Sequence, residues 1–137
     1  GKYPDYKQIL PKNFSYSVRI SREEFLRSVR MAGIFSSQMH GEMILALFPE
    51  KKELVVSSQS SDIGENRTVL SVDMTGGVPL EIVFNPRYVL DGLNVFDSES
   101  ILLSANTNAT PIEFRALDSP KGAPLDDFLY IAMPVRK

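Results

Sequence analysis

The chain has 137 residues, 43% of them hydrophobic, with 15 basic and 17 acidic side chains and a formal net charge of −2. That length is one domain's worth, able to bury roughly 68% of its unfolded surface without a staple, and the slight acidity argues against general electrostatic adhesion to nucleic acid. Cys is absent, which excludes a disulfide framework and a thiolate zinc site and makes the reducing cytosol the natural compartment; nothing resembles a signal peptide or a bilayer-spanning apolar run.

The chain opens on Gly1, and residues 2–13 carry Pro4 and Pro11 around Tyr3, Tyr6, Ile9 and Leu10, which reads as a lead-in cut from a longer chain. Residues 15–20 alternate, with Tyr16, Val18 and Ile20 on one side, the pattern of a half-buried strand. Ser21 and Glu24 then form a capping box, each side chain able to satisfy the other's orphan backbone donor. In the helix that follows, Phe25, Val29 and Ala32, with Leu26 alongside, make an inward stripe, and Glu23, Arg27 and Arg30 face out. Strands are expected over 43–48, 54–57 and 68–74, with a turn at 49–52 and a polar loop through Gly64.

Gly76 and Gly77 punctuate the midpoint, and the order restarts. A strand at 80–84 enters a second helix from Pro86 to about Phe96, with Asn85 as N-cap and Pro86 at the first helical position, where its missing N–H costs nothing. Val89, Leu93 and Phe96 form the buried stripe, opposite Arg87, Asp91 and Asn94. Strands at 101–104, 112–116 and 128–133 complete the repeat, after a long loop over 118–127. The caps at 21 and 85 lie about half the chain apart, as an internal duplication requires. The expected class is α+β: a duplicated β-α-β-β-β unit with two helices covering antiparallel sheet. Its boundaries are a lead-in at 1–14 and one domain at 15–137, with half-repeats at about 15–75 and 78–137.

Little in the sequence points to catalysis. His40 is the only histidine and has no nucleophile elbow, phosphate loop or spaced ligand set beside it. Asp118, Asp126 and Asp127 suggest a cation site but lack the spacing and glycine of a calcium loop. No cofactor is expected. Asn13, Asn66 and Asn108 open N-x-[ST] matches that read as coincidence in a chain without Cys.

Three segments stand out: Tyr3-Pro4-Asp5-Tyr6 with Leu10-Pro11, the run from Phe84 to Asp91 (F-N-P-R-Y-V-L-D), and the ending from Tyr130 to Lys137 (Y-I-A-M-P-V-R-K). Together they resemble the C-terminal, third domain of the bacterial replicative DNA polymerase sliding clamp, the beta-subunit processivity factor. The duplicated order fits that family as well. The resemblance implies a non-catalytic domain of a ring in which two protomers of three domains each close around duplex DNA, and the catalytic work belongs to the polymerase it tethers.

The resemblance also implies a pocket for short linear peptides carried by polymerases, the clamp loader and repair proteins. Its wall would be Pro4, Gln8 and Ile9, Asn85 and Tyr88, then Ile131, Ala132, Met133, Pro134, Val135 and Arg136, with Ala109 near the strand opposite. The family often has a basic residue in place of Gln8 and an aliphatic one in place of Ala132. A Met-Pro-Val run near a chain end is an adaptable apolar lining. Ile34 and Phe35 match positions where one protomer meets the next, and Arg22, Arg27, Arg30 and Arg87 would face DNA, attracting phosphates without reading bases. Taken alone, the residues have plainer readings: a last strand running into a tail at 133–135, Asn85 as a mere cap, Tyr88 as core, Ile34 and Phe35 as a helix plug, and Arg27 and Arg30 as a solvated face. Two other functions stay open: a metal-dependent hydrolase using the loop carboxylates, and a free-standing nucleic-acid binder.

Overall fold

The structure is a computed structural model and describes residues 14–35, 42–60, 64–119, 122 and 124–135, the side chains of 35, 59, 60 and 125–128 excepted. Of the residues singled out above, all of those from Gly1 to Asn13, Pro4, Gln8 and Ile9 included, and His40, Arg136 and Lys137 lie outside them.

Alternation of buried and half-buried positions builds β1 (Tyr16–Ser21), with Tyr16, Val18 and Ile20 inward. The helix α1 (Arg22–Phe35) follows at once. Ser21 Oγ accepts from the Glu24 backbone N–H at 3.4 Å, one arm of the expected capping box, and Glu23 and Glu24 place negative charge at the positive end of the helix dipole. Phe25, Val29 and Ala32 are fully buried. The chain then forms β2 (Met43–Phe48), β3 (Glu53–Ser60), β4 (Gly64–Ser71) and β5 (Asp73–Thr75).

The second half runs through β6 (Leu80–Phe84), α2 (Pro86–Asn94), β7 (Ser100–Ala105), β8 (Ile112–Leu117) and β9 (Pro124–Ala132). Asn85 Oδ1 accepts from the Arg87 backbone N–H at 2.9 Å, and Pro86 opens the helix. The α+β class and the duplicated order are as expected. Tyr16 marks the midpoint from a distance: its hydroxyl donates to the Val78 carbonyl at 2.6 Å. Its ring fills the space that a Cβ on Gly76 would need, only 2.4 Å from Tyr16 Cδ1.

The strands form two antiparallel sheets, ordered β5-β1-β7-β8-β9 and β4-β3-β2-β6. Each half donates its first strand to the other. β1 pairs with β7, from Tyr16↔Ala105 to Ser21↔Ser100, and β6 pairs with β2, from Met43↔Phe84 to Leu47↔Leu80. Both inner faces and both helices contribute to one core, in which the Phe25 and Phe114 rings lie 6.2 Å apart. The helices pack on each other, α1 also against β3 and β4, and α2 against β9.

Several boundaries differ from the sequence expectation; β3 runs on to Ser60 and β4 begins at Gly64, so most of the polar loop expected there is strand. The single strand expected at 68–74 is two, because the chain changes sheets at Val72: Ser71 pairs with Glu53 in one sheet and Asp73 with Arg19 in the other. Between them the Val72 N–H donates to the Lys52 carbonyl at 3.0 Å. The second helix stops at Asn94, its last turn tightened by bonds from Val95 N–H to the Gly92 carbonyl and from Phe96 N–H to the Leu93 carbonyl. Phe96 is buried beyond the helix end. β9 begins at Pro124, so Asp126 and Asp127 belong to a strand and the expected loop is shorter.

Candidate functional site: an apolar lip beside the second helix

Ala132 closes β9 opposite Ile112 and is buried, after which residues 133–135 leave the strand. The Val135 N–H donates to the Val83 carbonyl at 2.8 Å, and Pro134 is buried. The tail therefore bridges from the edge of one sheet to β6, the edge of the other. With its neighbours held on both sides, Met133 is presented outward at 53% exposure. Ile131 and Val135 are half-buried.

Tyr88 stands on the first turn of α2 at 56% exposure, so it is not the core residue its type suggests. Its backbone N–H donates to the Asn85 carbonyl at 3.1 Å. Asn85 itself is half-buried and spends its side-chain oxygen on the cap. The lip and the helix start are tied by Tyr130, whose hydroxyl donates to the Tyr88 carbonyl at 3.0 Å. The Tyr130 ring lies against Gly92, where an added Cβ would fall 2.3 Å from Cδ1, and 6.4 Å from the Phe114 ring centroid. Burial raises the Tyr130 pKa above its ordinary 10.0, with Asp91 and Tyr88 adding to the rise.

Ala109 is exposed in the turn between β7 and β8, which is held by its own bonds, including Ala109 N–H to Thr107 Oγ1 at 3.2 Å. That turn precedes Ile112, the partner of Ala132, so it lies at the same end of the sheet as the lip. Neither Tyr130 nor Gly92 was expected among the site residues. A glycine inside a helical pattern was the available signal, because it marks a close approach by a neighbour.

The arginines separate into two kinds. Arg27, Arg30 and Arg87 are exposed. Arg22 is half-buried, donating from Nε to the Ser98 carbonyl at 3.0 Å and from Nη1 to the Leu93 carbonyl at 3.1 Å. It thereby caps the C-terminal end of α2, so part of its guanidinium is already engaged within the fold. Ile34 is 63% exposed and plugs no helix end; the Phe35 side chain lies outside the described set.

An open groove of about 630 Å³ lies elsewhere, between β1, β5 and the start of α1, and mixes Arg19 and Lys52 with Glu24 and Asp73. Among the described residues no three His, Cys, Asp or Glu side chains are placed to hold a metal ion, and no helix is long and apolar enough to cross a membrane.

The fold is that of a sliding-clamp domain. It superposes on the DNA polymerase III beta subunit of Thermotoga maritima with a TM-score of 0.83 at 28% identity, covering 100% of this chain and 35% of that one. For the DNA polymerase III subunit beta of Pseudomonas aeruginosa the TM-score is 0.84 at 26% identity, with 100% and 35% covered. The beta sliding clamp of Synechococcus elongatus is 28% identical over 136 residues, 99% of this chain and 34% of that protein. Residues 7–136 match the family described as DNA polymerase III beta subunit, C-terminal domain. The chain belongs to that family, and it spans about a third of the length of the curated relatives it matches.

Proposed function

We propose that this chain is the third domain of a ring-forming processivity factor, with residues 1–14 entering from a preceding domain and 15–137 forming the clamp domain proper. Two protomers of three domains surround duplex DNA in the cytoplasm and hold the replicative polymerase at the primer end, raising its effective concentration there. The domain itself performs no catalysis. The lip at Ile131, Ala132, Met133, Pro134, Val135 and Arg136, with Asn85, Tyr88 and Ala109 and the lead-in residues Pro4, Gln8 and Ile9, receives short peptides of polymerases, the clamp loader and repair proteins. Ile34 and Phe35 meet the next protomer, and the exposed apolar side chain of Ile34 favours association. Arg27, Arg30 and Arg87 attract phosphates without base contacts, which permits sliding.

The observation that carries this reading is the exposure of both Met133 and Tyr88, on a tail and a helix start that are tied through Tyr130 and Val135. Burying two large apolar side chains of a guest contributes about 3 to 6 kcal/mol before ordering costs, so micromolar affinity, near −8 kcal/mol, is the expected scale. The test is titration with a peptide of the Gln-Leu-x-Leu-Phe kind, followed by amide chemical shifts. Tyr88, Met133 and Val135 are expected to move; resonances unmoved at millimolar peptide would sink the pocket.

A further inference from the structure

We propose that Met133 is a reversible oxidation site through which peroxide weakens the lip's grip on apolar peptides. This rests on the peptide-binding reading and adds a regulator to it. The chain has five methionines and no cysteine, so no thiol of this chain intercepts a peroxide before a thioether does. Met43 and Met74 are 0% and 2% exposed, whereas Met31 and Met133 are 44% and 53% exposed; Met39 lies outside the described residues. Of the two exposed thioethers only Met133 stands on the lip. Its neighbours Ala132 and Pro134 are buried and Val135 is hydrogen-bonded to Val83, so the backbone keeps the side chain presented outward.

In the reaction the sulfur lone pair attacks one peroxide oxygen, the O–O bond breaks and an S–O bond forms. The departing hydroxide takes the proton from the hydroxyl left on sulfur and leaves as water. Sulfur is oxidised by two electrons and the peroxide is reduced by two. The flexible apolar thioether becomes a polar, chiral sulfoxide. A guest closing over the lip would then bury a strong acceptor without a donor, the costly case for a polar group.

The experiment treats the full-length protein with hydrogen peroxide, maps added oxygen by peptide mass spectrometry, and measures affinity for Gln-Leu-Ser-Leu-Phe, which has no readily oxidised side chain. Met133 and Met31 should gain oxygen while Met43 and Met74 do not, and the dissociation constant should rise about tenfold. Methionine sulfoxide reductases should restore it. The affinity of Met133→Leu, whatever its starting value, should not change on peroxide treatment, and Met31→Leu should remain sensitive. Modification confined to Met31, or full conversion of Met133 with unchanged affinity, overturns the inference alone. Untreated protein that ignores the peptide overturns the underlying site reading, and this inference with it.

Discussion

The hydroxyl of Tyr130 donates to the backbone carbonyl of Tyr88 at 3.0 Å, joining the last strand to the first turn of the second helix. Both walls of the lip are thus referred to one side chain that itself stays half-buried. Replacing Tyr130 by Phe keeps the ring against Gly92 and removes only this bond. The expected result is a stability loss of about 0.5–1.5 kcal/mol in urea unfolding and a severalfold weaker peptide. Unchanged affinity would show that Tyr88 holds its place without help.

Alkaline pH should probe the same residue. Burial raises the Tyr130 pKa above 10.0, so the folded state favours the protonated phenol more than the unfolded chain does. That contribution is fully present below pH 10 and is lost as pH rises through the raised value. Thermal melts should therefore show a decline above pH 10 that Tyr130→Phe makes shallower; identical slopes in the two proteins would argue against it.

Gly92→Ala should destabilise although alanine is the better helix former. The gain in propensity is about 1 kcal/mol, but the new methyl would sit 2.3 Å from Tyr130 Cδ1, and overpacking costs typically about 1–3 kcal/mol. A lower midpoint in denaturant, together with shifted Tyr88 and Tyr130 resonances, is expected. A more stable variant would mean that the ring moves aside freely.

The arginines make separable predictions. Arg22→Ala removes the donors that satisfy the Leu93 and Ser98 carbonyls, so it should lower the melting temperature. Arg27→Ala with Arg30→Ala should leave melting nearly unchanged and reduce the salt dependence of DNA affinity in the assembled ring. The reverse assignment of effects would refute the division between a capping arginine and two solvent-facing ones.

What the sequence made legible follows the range over which each signal acts. The stripe Phe25, Val29 and Ala32 and the caps at Ser21 and Asn85 are set by neighbours within a turn, and the structure has them as read, save that the Ser21 capping box shows one of its two arms. The break at Val72 depends on which sheet claims Ser71 and which claims Asp73, a pairing made with Glu53 and Arg19, and no local pattern encodes it. The main-chain bonds of Arg22 were not legible because its acceptors lie some seventy residues away. Taken alone, Tyr88 read as core, and only the resemblance placed it in a pocket wall; its exposure follows from what the rest of the fold leaves uncovered. The lip rested on resemblance, since a last strand and a receptive edge look alike in one dimension.

Because β1 completes the sheet of the second half and β6 that of the first, neither repeat is a self-sufficient unit. A solitary ancestor of one repeat would have lacked a strand and found it in a twin. Fusion of the pair would then have made permanent, within one polypeptide, a trade first struck between two.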